Sequence, residues 1–183
     1  MRINPKTGLL NVARYLQSPN FDSRPDGVQP ELIVIHGISL PPGEFGGEHI
    51  DRLFTNTLEP TTHPYFADMA DLRVSAHLLI RRDGGIVQYV PFHLRAWHAG
   101  QSSFQGRTAC NDFSIGIELE GTDDLPYTNE QYAQLFEVVA VLLRTYSGLS
   151  AENIVGHSDI SPGRKTDPGP GFDWRLLKEK VSS

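Results

Sequence analysis

Residues 31–36 read Glu-Leu-Ile-Val-Ile-His (ELIVIH), a compact apolar run rich in β-branched side chains. The run is long enough for a strand and too short for a helix. In an extended chain Leu32 and Val34 face one way and Ile33 and Ile35 the other, so both faces need cover. That pattern predicts a central strand of a sheet packed on both sides. His36 continues the Leu32/Val34 face and falls at the C-terminal end of the strand. Open α/β sheets build their sites at such ends.

Downstream of this strand, Pro41, Pro42, Gly43, Gly46 and Gly47 exclude regular structure early in residues 37–73. Ile50, Leu53 and Phe54 then fall at helical spacing. Phe66, Met69 and Ala70 suggest a second short turn of helix after Pro64. A long insertion between strands is suited to a lid or one wall of a cleft, and residues 37–71 are the expected lid. Residues 74–91 predict a hairpin around Asp83-Gly84-Gly85, where glycine supplies the positive φ of a tight turn. Residues 93–107 form a polar and aromatic loop. Residues 113–120 (FSIGIELE) alternate, placing Phe113, Ile115, Ile117 and Leu119 on one face and Ser114, Gly116, Glu118 and Glu120 on the other. Thr128 and Gln131 form a capping-box pattern before a helix over residues 129–146, whose stripe runs from Tyr132 to Tyr146. Gly148 stops it. Residues 153–157 are a short strand, and Asp173 caps a last helix that packs Trp174, Leu177 and Val181 inward.

Upstream, residues 1–30 are broken by Pro5, Pro19, Pro25 and Pro30 and read as an irregular arm. The order of elements predicts one α/β domain over residues 1–183, with a mixed central sheet of about five strands flanked by helices. A chain of 183 residues suits one full core and not two. The net charge of -6 argues against nucleic acid, which demands a basic face, and gives no help toward an anionic membrane. One cysteine, Cys110, cannot make an internal disulfide and reads as a small buried hydrophobe. The first 21 residues hold no continuous apolar core of a signal peptide, and the longest apolar run, residues 138–143, is too short to span a bilayer. A soluble cytoplasmic protein is expected.

Residues 153–172 read NIVGHSDISPGRKTDPGPGF, too rich in Pro and Gly at their end for helix or ladder. Lys165 and Asp167 stand two residues apart, so an extended segment points both to one side. With His36 from the first strand, His157 and Asp167 make two imidazoles and a carboxylate, a common catalytic zinc set that leaves a fourth position for water. A single cysteine excludes a Cys-rich structural site. Taken alone, either histidine is explained as a satisfied polar or surface group, and His49, His63, His77 and His93 are left in that class. Glu118 stands on the polar face of its strand, where a carboxylate can take a proton from water and pass it to a leaving amine. Glu120 has the same claim by geometry; either could instead be exposed on a half-wet sheet. Lys165 is a candidate fixed charge for a developing oxyanion, or a solvated loop lysine. Arg81 and Arg82 read as turn-flanking surface charge.

Residues 37–47 (GISLPPGEFGG), 63–84 (HPYFADMADLRVSAHLLIRRDG), 95–100 (RAWHAG), 110–123 (CNDFSIGIELEGTD) and 156–174 (GHSDISPGRKTDPGPGFDW) resemble, in order, the AmpD family of cytoplasmic bacterial 1,6-anhydro-N-acetylmuramyl-L-alanine amidases. The resemblance implies the peptidoglycan-recognition-protein/type 2 amidase fold. It implies Zn2+ as cofactor and hydrolysis of the amide between the lactyl group of anhydro-muramic acid and L-alanine during peptidoglycan recycling. The partner it implies is a small muropeptide, with no nucleic acid or membrane, and a monomer is expected. Carried across by position, His36, His157 and Asp167 match the zinc ligands, Glu118 the catalytic glutamate and Lys165 the lysine near the scissile carbonyl. Arg73, Arg107, Trp97 and His98 match positions around the substrate cleft. A guanidinium fork suits a peptide carboxylate, and a Trp face suits a sugar ring. Two positions depart. Gly37 stands where the family commonly has Asn, so any hydrogen bond from that amide must be absent or supplied by another group. Ala109 stands where relatives often carry Arg.

Overall fold

The structure is a computed structural model and describes residues 1–69 and 71–181. In chain order it holds β1 (Arg14–Tyr15), β2 (Phe21–Ser23), β3 (Leu32–Ile38), α1 (His49–Phe54), β4 (Leu78–Ile80), β5 (Ile86–Gln88), β6 (Leu94–Ala96), β7 (Ser103–Phe104), β8 (Arg107–Thr108), β9 (Ser114–Glu120), α2 (Asn129–Thr145), β10 (Ile154–Gly156), α3 (His157–Ile160) and α4 (Trp174–Val181). A single 3-10 turn, Pro64–Phe66, stands where a short helix is expected after Pro64; the Ala70 part of that expectation lies outside the described residues.

The main sheet has six strands in the order β1-β5-β4-β9-β3-β10. β3 lies between two parallel neighbours, β9 and β10, as a run apolar on both faces requires. β4 joins β9 in parallel and turns back on β5 as the expected hairpin, with Gly84 at φ 84°. Five of the strands are those anticipated. The sixth, β1, comes from the N-terminal arm and pairs in parallel with β5 at the sheet edge, while β2 pairs antiparallel with β6. The arm is therefore not irregular throughout. What ties it down lies far away in sequence. Buried Arg24 donates from Nη1 to the carbonyls of Asn111 (3.2 Å) and Asp112 (2.9 Å), and from Nη2 to those of Phe92 (3.2 Å) and Ser114 (2.8 Å).

One face of the sheet presents Ile33, Ile35, Ile115, Ile117 and Leu119 to Leu135, Val138, Val139 and Leu142 of α2. Each such burial contributes about 1.5–3 kcal/mol. On the other face, Leu32 and Val34 meet Ala99, Cys110 and Ile160, and Leu79, Val87 and Tyr89 meet Leu53, Phe54 and Phe66. Phe113 packs with the Leu32/Val34 set, opposite to the face that alternation assigns it. The strand begins only at Ser114, and at ψ 12° Phe113 is not extended.

The start of α2 is fixed to the sheet. The Thr128 hydroxyl accepts from the Gln131 amide (3.1 Å), and Gln131 Oε1 accepts from the Thr128 amide (3.0 Å), the reciprocal capping box. Gln131 Nε2 also donates to the carbonyls of Ile80 (3.1 Å) and Glu120 (2.9 Å), at the ends of β4 and β9. Arg81 is not the surface charge its place beside a turn suggests. Its guanidinium meets Asp51 (3.1 Å) and Glu120 (3.4 Å), and Asp51 also takes the Tyr89 hydroxyl and Arg14.

Candidate active site

The register of the parallel strands sets the site. His36 on β3 pairs with Glu118 on β9, so the two side chains stand on adjacent strands on one face, near their C-terminal ends. β10 runs beside β3 on the other side and ends at Gly156, which delivers His157 as the first residue of α3. The chain then returns through the Pro- and Gly-rich loop to bring Asp167 against both histidines.

His36 Nδ1 lies 3.0 Å from His157 Nδ1 and 3.2 Å from Asp167 Oδ2, and His157 Nδ1 lies 3.1 Å from Asp167 Oδ2. Ligand atoms about 2.0–2.1 Å from a tetrahedral zinc are about 3.3–3.4 Å apart, within a few tenths of an ångström of these edges. Among the described residues this is the one group of three His, Cys, Asp or Glu side chains gathered closely enough for a metal ion. The donor set therefore fits zinc.

The rest of the imidazoles supports the same orientation. With Nδ1 of His36 kept as a lone pair toward the triangle, its Nε2 carries the proton and donates to His98 Nδ1 at 2.9 Å. His98 Nε2–H then donates to the Ser114 hydroxyl at 2.9 Å. His157 Nε2 faces the Ala99 carbonyl at 3.3 Å. Such partners fix the tautomer and direction of a metal-binding imidazole. Burial, opposed by the adjacent Asp167 carboxylate, lowers the His36 pKa to about 4, so the ring is neutral, as a ligand must be. Burial, with His36 and His77 next, holds His98 well below the usual histidine range. For Asp167, burial pushes upward but the adjacent His157 and His36 rings outweigh it, and the carboxylate stays ionised.

A cavity of about 290 Å³ opens over this triangle. Its polar side holds His36, His98, Glu118, His157, Lys165 and Asp167, and its apolar side includes Phe54, Tyr65, Met69, Leu72 and Trp97. Glu118 is buried, with Oε2 lacking any hydrogen-bond partner. Burial, then the charge of Asp167, pushes its carboxyl well above the usual range, while Lys165 pulls it down. An unpaired buried carboxylate oxygen is costly unless a ligand completes it.

The other candidates divide. Trp97 lines the cavity with its Nε1 donating to Asp22 (3.3 Å). Arg73 is exposed, between cavity-lining Leu72 and Val74. Arg107 is not brought to the cavity: it pairs with Glu31 (2.9 Å) and lies 3.8 Å over the Phe113 ring, in a separate depression. Glu120, level with Glu118 in the alternation, accepts from the Gly46 amide (2.7 Å) and the Arg82 amide (3.2 Å) and pairs with Arg81, so it serves the fold. Phe54, Tyr65 and Met69 of the 37–71 segment contribute to the apolar lining of the cavity. Ser114 was not anticipated as part of the site; its place on the polar face of β9 is the signal that could have found it.

A parallel-centred sheet carrying a His/His/Asp triangle beside a buried glutamate sets a candidate metal site next to a candidate acid–base group. The family model described as N-acetylmuramoyl-L-alanine amidase matches residues 26–170. The chain belongs to that amidase family. It is 62% identical over 178 residues to the 1,6-anhydro-N-acetylmuramyl-L-alanine amidase AmpD of Salmonella typhimurium (strain SL1344), covering 97% of this chain and 95% of that protein. A crystal structure of a selenomethionine AmpD derivative superposes with a TM-score of 0.95 at 60% identity and 99% coverage of both chains. More distantly, the Escherichia coli amidase AmiD, solved with anhydro-N-acetylmuramic acid-L-Ala-D-gamma-Glu-L-Lys, matches with a TM-score of 0.61 at 30% identity, over 86% of this chain and 60% of that one. Among the described residues no helix is long and apolar enough to cross a membrane.

Proposed function

We propose that this amidase is zinc-dependent and hydrolyses the amide between the lactyl group of 1,6-anhydro-N-acetylmuramic acid and L-alanine in muropeptides, in the cytoplasm, during peptidoglycan recycling. The observation that carries this reading is the convergence of His36 Nδ1, His157 Nδ1 and Asp167 Oδ2 beside the unpartnered Oε2 of Glu118 in one cavity. The substrate comes from the AmpD relatives, whose name specifies it.

His36, His157 and Asp167 would hold the ion. The chemistry zinc supplies when bound is Lewis acidity toward a carbonyl oxygen and acidification of water. Glu118 lines the cavity and its Oε2 has no hydrogen-bond partner, so this carboxylate can accept the proton of an attacking water. Its raised pKa suits the second half of the task, because a carboxyl that holds a proton readily can deliver it to the leaving L-alanine nitrogen. Lys165 lines the same cavity and places an ammonium where negative charge develops on the carbonyl oxygen. His98 has both ring nitrogens engaged, by His36 and Ser114, and orients His36 rather than binding substrate. Trp97 and the apolar wall receive the sugar and its lactyl group, with Arg73 near the peptide.

Mass spectrometry of four reactions tests the proposal: anhydro-muropeptide and intact peptidoglycan, each with and without a chelator. Chelator-sensitive release of free peptide from the muropeptide alone is expected. Muropeptide binding without release would replace the reading with a recognition module, and release from intact polymer would widen the substrate class.

A further inference from the structure

Asp167 is the one metal-triangle residue that sits on a loop, and a loop does not hold a carboxylate to a few tenths of an ångström without support. The supports are on the backbone either side of it. The Asp167 carbonyl accepts from the Ser158 amide at 3.0 Å. The next carbonyl, Pro168, accepts from the Tyr127 hydroxyl at 3.0 Å. Further along, the Gly171 amide donates to the Asp123 carbonyl at 2.7 Å. Residues 121–127 thus clamp the loop that carries Asp167.

Tyr127 reaches this loop through a slot that two glycines leave open. A Cβ built on Gly37, the residue after His36, would overlap the Tyr127 hydroxyl oxygen. A Cβ on Gly121, the residue after β9, would stand 2.5 Å from ring atom Cε1. Pro168 docks in the same way: the Cβ position of Gly37 is 3.6 Å from its Cα, and that of Gly156 is 2.9 Å from its Cδ. The other end of Tyr127 is anchored by sequence adjacency, because it precedes Thr128, whose hydroxyl donates to the Arg82 carbonyl at 2.7 Å. The ring also meets Phe172 edge-on, at 5.7 Å between centroids.

We propose that Tyr127 is a positioning residue for Asp167: its hydroxyl, admitted past the side-chain-free backbone of Gly37, holds the Pro168 carbonyl and so keeps Asp167 Oδ2 against His36 and His157. This rests on the metal-centre reading above. It also gives Gly37 a role: the space that a side chain would fill after the first metal-binding histidine belongs to the Tyr127 hydroxyl. The rigid path runs from the ends of β4 and β9, through the α2 capping box, to the metal loop.

Tyr127→Phe removes the one hydrogen bond and keeps the ring. Tyr132→Phe is the matched control. Its hydroxyl accepts from the Asp173 amide at 2.6 Å, past the metal loop, so it loses a comparable bond elsewhere. Zinc affinity is read by competition with a chromophoric chelator, and site geometry by the visible absorption of the Co2+-loaded protein. Loss of a partner that orients a metal ligand typically weakens affinity about 10–100-fold. Tyr127→Phe is expected to bind zinc at least fivefold more weakly, with an altered Co2+ spectrum and KM unchanged at saturating zinc. Tyr132→Phe should match wild type in both while losing a similar few degrees of Tm. Gly37→Ala, which pushes the hydroxyl out from the other side, should reproduce the loss and add little to Tyr127→Phe. A loss under fivefold in Tyr127→Phe, or an equal loss in Tyr132→Phe, overturns the assignment alone. Wild-type protein that takes up no zinc overturns the metal centre and this role together.

Discussion

His77 should make the protein acid-labile, by an amount its surroundings allow one to calculate. Its ring is fully buried. Nδ1 accepts the Gly116 amide at 3.0 Å, which leaves Nε2–H to donate to the Leu94 carbonyl at 3.1 Å. A second proton would have to go on Nδ1, against an N–H donor, with the Arg24 guanidinium 3.3 Å from the other nitrogen. Burial, then the charge of Arg24, lowers the His77 pKa to about 3. The free imidazole titrates near 6.5, so between about pH 6.5 and pH 3 the unfolded chain binds the proton and the folded one does not. The stabilisation is fully present above 6.5 and is lost as pH falls toward 3. From a shift of this size the loss between pH 7 and pH 5 is about 2 kcal/mol, and by pH 4 about 3 kcal/mol. The assay is urea unfolding of metal-stripped wild type and His77→Gln from pH 7 to pH 4. The variant is less stable at pH 7, but its stability should fall by about 2 kcal/mol less than wild type on going to pH 5. Parallel pH profiles for the two proteins would refute the reasoning.

The remaining predictions concern the site and the core. Glu118→Gln keeps the shape of the side chain and removes the proton acceptor; kcat should fall about 10²–10⁴-fold while zinc stoichiometry by elemental analysis stays at wild type. Asp167→Ala should abolish both bound zinc and peptide release, and full turnover by a zinc-free variant would contradict the scheme. Lys165→Ala should lower kcat about 10²–10³-fold, measured at saturating substrate; a near-normal kcat would end its assignment to the oxyanion. Phe66→Ala, at a fully buried ring between α1 and the sheet, should cost about 3–5 kcal/mol in urea unfolding.

The parts of the fold that a sequence shows are those whose cause is local. Alternation in residues 113–120, the two-faced run at 31–36 and the Thr128/Gln131 capping box each depend on neighbours a few residues away, and each is found as expected apart from Phe113, which falls outside its strand. β1 is a pair of residues whose pairing is backbone to Val87 and Gln88, so its side chains carry no signal. Arg81 shows the same limit in charge: beside a turn it reads as solvated, and only Asp51 and Glu120, on other elements, make it half-buried. At the site, residue type put His36, His157, Asp167 and Glu118 forward as candidates, and the fold brings all four to one cavity. Arg107 matched a cleft position by motif alone and lies elsewhere, over Phe113. Tyr127 was invisible because its importance comes from what Gly37 and Gly121 lack.

β10 is the outermost strand of the sheet, paired on one side only, and it leads directly into His157 and, ten residues on, to Asp167. His36 and His157 are separated by 121 residues of chain. An ion between them therefore acts as a removable staple, closing the first third of the chain onto its last segment. On the proposed zinc reading, the enzyme's lifetime is coupled to that ion. When zinc is scarce, the edge carrying β10, α3 and α4 is the section expected to peel first and meet a protease. Limited proteolysis with and without chelator would read this as early cuts after residue 148, and identical cleavage patterns would exclude it.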